Sequence, residues 1–574
     1  MASIISKKVK KYTYYYLVES ARVNGKPRIV SQRYLGSAER ILSAIDKLET
    51  DIPEPKYSIV LEFGAVAALY NIAKKLEVIK MIDKHVNKRN QGLSVGEYLV
   101  LAAINRAVSP CSKNSFFKWF EYTVLPKFFP RATKKALSSQ RFWDNMSLVT
   151  DEAIDSFEEE FTKLMVSKYE LNTDCLLYDN TNFFTYIDTK TDSELAERGK
   201  SKEKRTDLRI VGMSMMISAK YNVPLFYEVY PGNKNDAKQF SDVMEELKKR
   251  YEAICGEERT VTLVFDKGNN SLENIQSVVQ DCENNIHCRF VGSLKFNQCR
   301  ELLEIPKKEY SPLKEKTLRD CTAYRTEKEI YGQTMTVIVV NNPELIAGQL
   351  QGISNNMNKC QSELLNLQLT LEKRANGIIT KGKTPTVNSV EKKVKKILSK
   401  DYMKDIFSYD VYEVDKNVRL QYTFDSDKLS EICESYLGKT ILFTNNHNWS
   451  NERIILAYRS QYHIEDNFKQ MKDTEYLSFR PQNHWTDQKI KVHAFYCVLA
   501  LRLCCLLNLE LSKMGYKMSI NKMLETLSDV QQVITVFPEK KNNKERKCSS
   551  VSSKSKKGTN IVKKMDLDKY QVVV

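Results

Sequence analysis

Tyr458, Glu465 and Lys472 stand seven residues apart in the stretch YRSQYHIEDNFKQMK. At about 100° per residue, seven residues of helix return to within about 20° of the start. The spacing therefore predicts a helix over 458–472 with a phenol, a carboxylate and an ammonium on one narrow stripe, and Gln461 falls on it too. An amphipathic surface helix would carry apolar residues there. A carboxylate flanked by these groups suits a metal ion together with a phosphate: Glu465 offers oxygen to a hard cation and its neighbours hold the anion. The plain alternative is a solvated charged helix.

Such a site needs further carboxylates, and two stand where strands should deliver them. Residues 175–184, CLLYDNTNFF, read as a buried strand with Asp179 emerging from it, and 261–266, VTLVFD, as a second that ends at Asp266. Either alone is weak, because the chain has 72 acidic residues and aspartate is a common turn residue. Their surroundings are ordered: a strand pair at 208–220 and 223–230, a helix with Phe240, Val243, Met244 and Leu247 on one face, the Asp266 strand, a helix to about Asp281 and a strand over 287–294.

Three strands, a helix, a strand with an acid, a helix and a strand is the order of a ribonuclease-H-like fold. The blocks YDNTNFF (178–184), VPLFYEVYPGN (223–233), VFDKGN (264–269) and KTILFTN (439–445) resemble those of the DDE (Asp-Asp-Glu) transposases of prokaryotic insertion sequences, in the insertion-sequence-four superfamily. Tyr458, Glu465 and Lys472 match its signature Tyr-x2-Arg-x3-Glu-x6-Lys, and Gln461 departs from it at the arginine. Arg459 lies about 100° round the helix from Tyr458, whereas Lys469 lies near the stripe and is the better-placed substitute. The resemblance spans roughly residues 10 to 510. It implies an α/β fold: a ribonuclease-H-like catalytic core, interrupted by a β-plus-helical-hairpin insertion and preceded by a mainly helical N-terminal region.

The same resemblance implies that Asp179, Asp266 and Glu465 are catalytic and hold Mg²⁺, with Mn²⁺ also suited, their carboxylates within about 8 Å of one another. Tyr458, Gln461, Lys469 and Lys472 would then meet DNA phosphates. The implied partners are double-stranded DNA, as the element's terminal inverted repeats and as target, and a second copy in a synaptic homodimer. Cleavage with strand transfer is the expected activity. A nuclease of the same fold that joins nothing, and an inactive DNA-binding descendant, are the rivals; no nucleotide-binding or zinc-protease motif supports another class.

The formal charge of +17 implies a polyanionic partner, but residues 539–564 supply +8 of it, with ten Lys or Arg against Glu539 and Glu545. Their Ser- and Lys-rich part, Cys548 to Lys564, reads as disordered. Thirteen cysteines without ligand spacing fit a reducing cytoplasm. The most apolar segment, Ala494 to Leu507, contains Arg502 and is shorter than a membrane span, so it reads as a buried helix behind the Glu465 helix, with no membrane partner.

Boundaries follow from these shifts: a small strand module at 1–60 with a turn at Val23–Pro27, a helical DNA-binding region at 61–170 opened in part by the capping box Ser94–Glu97, the two core halves at 171–295 and 439–515, an insertion subdomain at 296–438, and a C-terminal helix with a basic tail at 516–574. Between Pro126 and Trp143, Lys127, Arg131, Lys134, Lys135 and Arg141 interleave with Phe128, Phe129 and Phe142 and no acid. That stretch reads either as a DNA-end reader or as a solvated connector. In the insertion, Ile353, Met357, Cys360, Leu364, Leu367 and Leu371 make a four-three seam, expected to fold back on Val390, Val394 and Ile397.

Overall fold

The computed structural model describes residues 2–23, 26–50, 54–88, 91–188, 190–199, 205, 207–234, 239–240, 244, 260–279, 287–538 and 546–573. The chain divides into two units, one built from Met1–Gly64, Tyr122–Lys127 and Thr526–Val574, the other from Ala65–Glu121 and Phe128–Glu525.

In the smaller unit, Ala2–Val9, Tyr12–Val23 and Lys26–Gly36 pair as an antiparallel sheet. The expected turn residues Asn24 and Gly25 lie outside the described residues. Tyr57–Glu62 pairs with Gln531–Phe537, which in turn pairs with Arg546–Ser552. The latter strand corrects the expectation of a disordered tail, and so does the helix Lys556–Lys564 that follows it. Lysine and serine dominate the composition there, yet Ile561, Val562, Met565, Leu567 and Tyr570 are spaced to bury together. Asp529 ties the turn between strand and helix by accepting from Ser553 Oγ at 2.9 Å and from the Ser555 amide at 3.0 Å.

The larger unit is built on a nine-stranded sheet. Its strands in chain order are β1 (Cys175–Thr185), β2 (Arg209–Ser218), β3 (Pro224–Pro231), β4 (Thr260–Val264), β5 (His287–Leu294), β6 (Ser311–Pro312), β7 (Thr322–Ile330), β8 (Gln333–Asn341) and β9 (Lys439–Thr444). In space they run β6-β7-β8-β9-β5-β4-β1-β2-β3. β1, β2 and β3 are antiparallel neighbours, while β4 lies parallel to both β1 and β5. This is a mixed α/β architecture consistent with a ribonuclease-H-like fold. Of the helix expected around Phe240, most lies outside the described residues; Phe240 itself is buried, its ring 5.0 Å from those of Tyr178 and Phe265.

Residues 296–438 do not form one inserted subdomain. β7 and β8 extend the central sheet through β9, and Met335 to Val340 are buried within it. What stands apart is the helix Pro343–Ala375, the helix Val387–Ile397, the strand hairpin Phe407–Val414 with Asn417–Phe424, and the helix Ser426–Ser435. They share a separate core in which Ile353, Cys360, Leu364 and Leu371 of the seam meet Val390 and Val394.

The α-helices between Val78 and Tyr169 belong to the same unit as the sheet rather than to a module of their own, while the short turn Leu125–Lys127 belongs to the smaller unit. One of them, Val95–Val108, opens on the expected capping box of Ser94 and Glu97. The long helix Asp487–Lys513 is apolar enough to cross a membrane by length and composition, but its apolar window is 94% buried inside the protein. Its buried Arg502 is compensated: Nη1 donates to Glu158 at 2.7 Å, and Nε and Nη2 donate to the Pro224 and Leu225 carbonyls at 2.9 and 3.2 Å. Glu158, on the helix Asp151–Tyr169, is also buried. One interaction thus joins two helices to β3.

Removing one partner of such a pair leaves a bare buried charge. Arg502→Met should therefore cost about 3–5 kcal/mol of unfolding free energy, and adding Glu158→Leu should restore most of it. Urea denaturation of both variants checks this. Deleting 546–574 should abolish the unfolding transition of the smaller unit, not merely remove charge; a calorimetric trace unchanged by the deletion would show the segment to be dispensable.

Candidate active site

Asp179 and Asp266 reach the same row of the sheet through backbone register. Leu177 of β1 lies beside Val264 of β4, and Val264 lies beside Val291 of β5. Side chains alternate along a strand, so the residues two further on emerge on one face: Asp179, Asp266 and Ser293. β4 ends at Val264, and Asp266 opens the short 3₁₀ turn Lys267–Asn269 with extended dihedrals. The turn is held by Asn270, whose amide donates to the Ser293 carbonyl at 2.6 Å, and by Asn274, whose amide donates to the Asn269 carbonyl at 2.8 Å. Gly292 lets β5 pass close to β9, because a Cβ there would sit 2.8 Å from the Phe443 ring.

Glu465 arrives from the other side, on the helix Tyr462–Lys472. Ile464, Asn467, Phe468 and Met471 are buried, and the helix packs on β1 and β2. Asn467 donates to the Asn222 carbonyl at 3.0 Å and fixes the helix rotation. A cavity of about 340 Å³ opens between the strand ends and this helix, lined by Asp179, Asn180, Thr181, Asp266, Gln461, Glu465, Lys469 and Lys472 among others. The three acids expected from the sequence therefore share one cavity, with two lysines on its wall. Asp266 and Glu465 are exposed and Asp179 is half-buried.

The single helix expected over 458–472 is corrected. Asn451–Arg459 and Tyr462–Lys472 are separate helices, interrupted at Ser460 and Gln461. Ser460 explains the break: its hydroxyl donates to the Ala457 carbonyl at 2.6 Å, a local bond that competes with the helical ladder. Tyr458 nevertheless turns to the site, donating to Ser293 Oγ at 2.7 Å and standing 3.5 Å from Asp266 Oδ1. Its hydroxyl is committed to these protein groups rather than held out for a phosphate. Burial pushes the phenol up to about 12, with the Asp266 and Glu465 carboxylates adding to the rise against the pull of the Ser293 hydrogen bond. Tyr458 is thus a neutral donor at physiological pH.

Arg459, already disfavoured by its angle, points elsewhere and donates to Cys321 Sγ at 3.0 Å. Gln461 and Lys469 both line the cavity, and Lys469 makes only an exposed ion pair with Asp466 at 3.3 Å. Lys472 holds its ammonium 5.7 Å from the centre of the Phe183 ring, which stacks on Phe479 at 4.2 Å. Arg480 lies over the next ring, Phe184, at 5.1 Å. His463 is a packing residue: Nδ1 meets the Asn222 amide at 3.1 Å, and burial keeps the ring below the usual imidazole range. Ser293, Asn180, Thr181 and Arg480 are the neighbours that the sequence reading missed. Ser293 was accessible to it in principle, since the parallel register carried one strand further leads to it.

Oxygen donors on one cavity match the chemistry of a hard divalent cation. Among the described residues, however, no three Asp, Glu, His or Cys side chains stand close enough together to hold a metal ion. The donor set fits in kind, and the acids are not drawn into a ligand cluster.

The basic stretch from Pro126 to Trp143 does not act as one surface. Lys127 belongs to the smaller unit, where its ammonium donates to the Lys569 and Gln571 carbonyls at 3.2 and 2.5 Å. The phenylalanines are packing residues: Phe128 and Phe129 lie 5.1 and 5.6 Å from Tyr70, and Phe142 is buried against Tyr98 and Phe116. Arg131, Lys135 and Arg141 line a common cavity in the larger unit, and Lys134 is exposed outside that lining.

A family model described as "Transposase DDE domain" matches residues 184–503, more than half of the chain. The match takes in Asp266 and Glu465 and begins five residues after Asp179 (184 − 179). No curated protein matches. Among solved structures, a piggyBac transposase synaptic complex with hairpin DNA aligns at 9% identity over 83% of this chain and 82% of that one, with a TM-score of 0.37. A Mos1 transposase paired-end complex with its left transposon end aligns at 10% identity over 35% of this chain and 60% of that one, with a TM-score of 0.14.

The Tyr458 shift has a readable sign. Below pH 10.0, the ordinary tyrosine value, the phenol is protonated in both folded and unfolded chains. As pH rises towards about 12 the unfolded phenol ionises first, so the wild type should lose stability relative to Tyr458→Phe. Denaturation of both proteins at pH 9 and pH 11 checks the sign.

Proposed function

Because the chain belongs to the transposase DDE-domain family, we propose that it carries out DNA transposition by cleaving DNA at the ends of its own element and joining those ends to a target. The observation that carries the reading is the common cavity of Asp179, Asp266 and Glu465, two of them delivered by neighbouring parallel strands and the third by a facing helix. Enzymes of this family generally use divalent metal ions. Asp179, Asp266 and Glu465 are the residues that would hold magnesium or manganese, which when bound lowers the pKa of the attacking hydroxyl and offsets charge on the leaving oxygen.

The remaining roles follow from what each side chain touches. Tyr458, held in place by its hydrogen bond to Ser293, stands against the Asp266 carboxylate and helps to orient it towards the cavity. Lys472, steadied over Phe183, and Lys469 place positive charge where a scissile strand's phosphates would enter. The reaction is an in-line displacement at phosphorus: a water or 3′-hydroxyl oxygen bonds to phosphorus as the 3′-oxygen leaves. No side chain needs to form a covalent bond, and the neutral Tyr458 is unsuited to do so. Terminal inverted repeats as the recognised ends, and a homodimer that pairs them, complete the reading.

Incubating the purified chain with labelled DNA carrying the element's flanking ends and Mg²⁺ tests it directly. Cleaved and joined products are expected, and Asp179→Asn, Asp266→Asn or Glu465→Gln should each abolish them while DNA binding persists. Cleavage without joining would reduce the protein to a nuclease. At the departure from the family pattern, Gln461→Arg should be tolerated and should strengthen end binding. Lys469→Ala should weaken it and flatten its salt dependence by about one phosphate contact. An unchanged salt slope for Lys469→Ala would remove Lys469 from the DNA contact.

A further inference from the structure

Apart from the carboxylate cavity, the helical part of the larger unit contains a second and larger one, about 570 Å³ in volume. Four cations line it: Lys88, Arg131, Lys135 and Arg141, with Asp144 the single acid among the described residues of its wall. The bland reading of a basic stretch is a solvated convex face. Here the charges border a concavity instead, where field lines concentrate and an anion is held from several sides.

The two arginines are weakly committed. Arg131 reaches Glu97 only at 3.3 Å and Arg141 reaches Asp144 only at 3.7 Å, with both arginine side chains more than half exposed. Pairs of that kind are worth about 0–1 kcal/mol and exchange readily for a better acceptor. Beneath them the cavity is rigid: Tyr98 is buried and donates to the Ala136 carbonyl at 2.6 Å, while the Lys88 ammonium bonds to the Leu93 carbonyl and Asn145 Oδ1. Burial depresses the Lys88 pKa against the pull of Asp83 and Glu97, and Arg131 and Arg141 add a smaller repulsion. A bound anion would relieve that repulsion.

We propose that this cavity binds phosphate groups of a nucleic-acid strand and carries part of the protein's DNA affinity away from the catalytic cavity. The volume is that of a nucleotide-sized ligand, far too small for a duplex, so a backbone phosphate or a strand end enters it. Guanidinium groups match phosphate oxygens in pairs. The aromatic ring in the wall, Tyr98, is buried and offers no platform for a base, so the contact is independent of sequence. Naming DNA as the source of the phosphate rests on the transposase reading; the phosphate chemistry does not.

The test uses the full chain carrying Arg131→Ala, Lys135→Ala and Arg141→Ala together, all at exposed positions. Circular dichroism and melting establish that it folds, and Lys135→Glu alone replaces it if it does not. Binding of a short random-sequence duplex, followed by fluorescence anisotropy over a salt series, should weaken at least about ten-fold at low salt. The slope of log affinity against log salt should flatten by about 2–3, at about 0.9 per lost phosphate contact. By calorimetry, inorganic pyrophosphate should bind the wild type and not the variant. An unchanged salt slope overturns the proposal, even if pyrophosphate binds, since the ligand would then be a free phosphoanion. Equal loss from a charge-matched control, Lys392→Ala with Lys393→Ala and Lys396→Ala on the helical hairpin, also overturns it, because net charge would then explain the effect. Loss of duplex affinity with cleavage retained at saturating protein supports it. A protein that shows this loss but never cleaves element ends would defeat the transposase reading and leave the phosphate cavity standing.

Discussion

Leu177 of β1 lies beside Val264 of β4, and Val264 beside Val291 of β5; the carboxylate end of the sheet follows from that pairing. With a side-chain period of two, a slip of one residue would send Asp179, Asp266 and Ser293 to opposite faces and leave Glu465 without partners. The register is protected by what lies behind it. Leu176, Leu177, Leu263, Val264, Phe290 and Val291 are all buried, so a slipped sheet would expose several of these side chains at once.

Carboxylates gathered at strand ends repel one another, and the surrounding groups moderate that cost without neutralising it. Tyr458 does so as a neutral donor between Ser293 and Asp266. The Asn270 amide locks the turn after Asp266 onto β5. Behind the sheet, the helix Asp487–Lys513 supplies rigidity through apolar burial and the hydrogen-bonded Arg502. A site built in this way keeps Asp266 and Glu465 exposed, where a cation or phosphate can reach them.

Positive charge divides by environment. In the smaller unit, lysines of the C-terminal segment decorate a folded strand and helix, and Lys127 spends its ammonium on main-chain carbonyls. In the larger unit, Arg131, Lys135 and Arg141 converge on Lys88 around a cavity, and Lys469 and Lys472 flank the acids. The formal charge of +17 is thus spread over surfaces of different use, and composition alone does not distinguish them.

From the sequence alone came the order of the strands around the three acids, the capping box at Ser94, the seam from Ile353 to Leu371 and the buried character of the helix around Arg502. Each of these rests on short-range periodicity or on a cap within a few residues, and such signals are written locally. Other features depend on partners distant in the chain. β7 and β8 joined the central sheet because β9, about a hundred residues later, offered an edge. The basic segment after Arg546 became a strand because Gln531–Phe537 was available to pair, itself held by Tyr57–Glu62 from the far end of the chain. The helix expected through Glu465 broke at Ser460 because a hydroxyl found a nearer carbonyl, and Tyr458 still reached Asp266 because Ser293 stood beside it in the sheet. Hydrogen bonds between segments hundreds of residues apart leave no period in the sequence, and they are what turned spaced acids into a cavity.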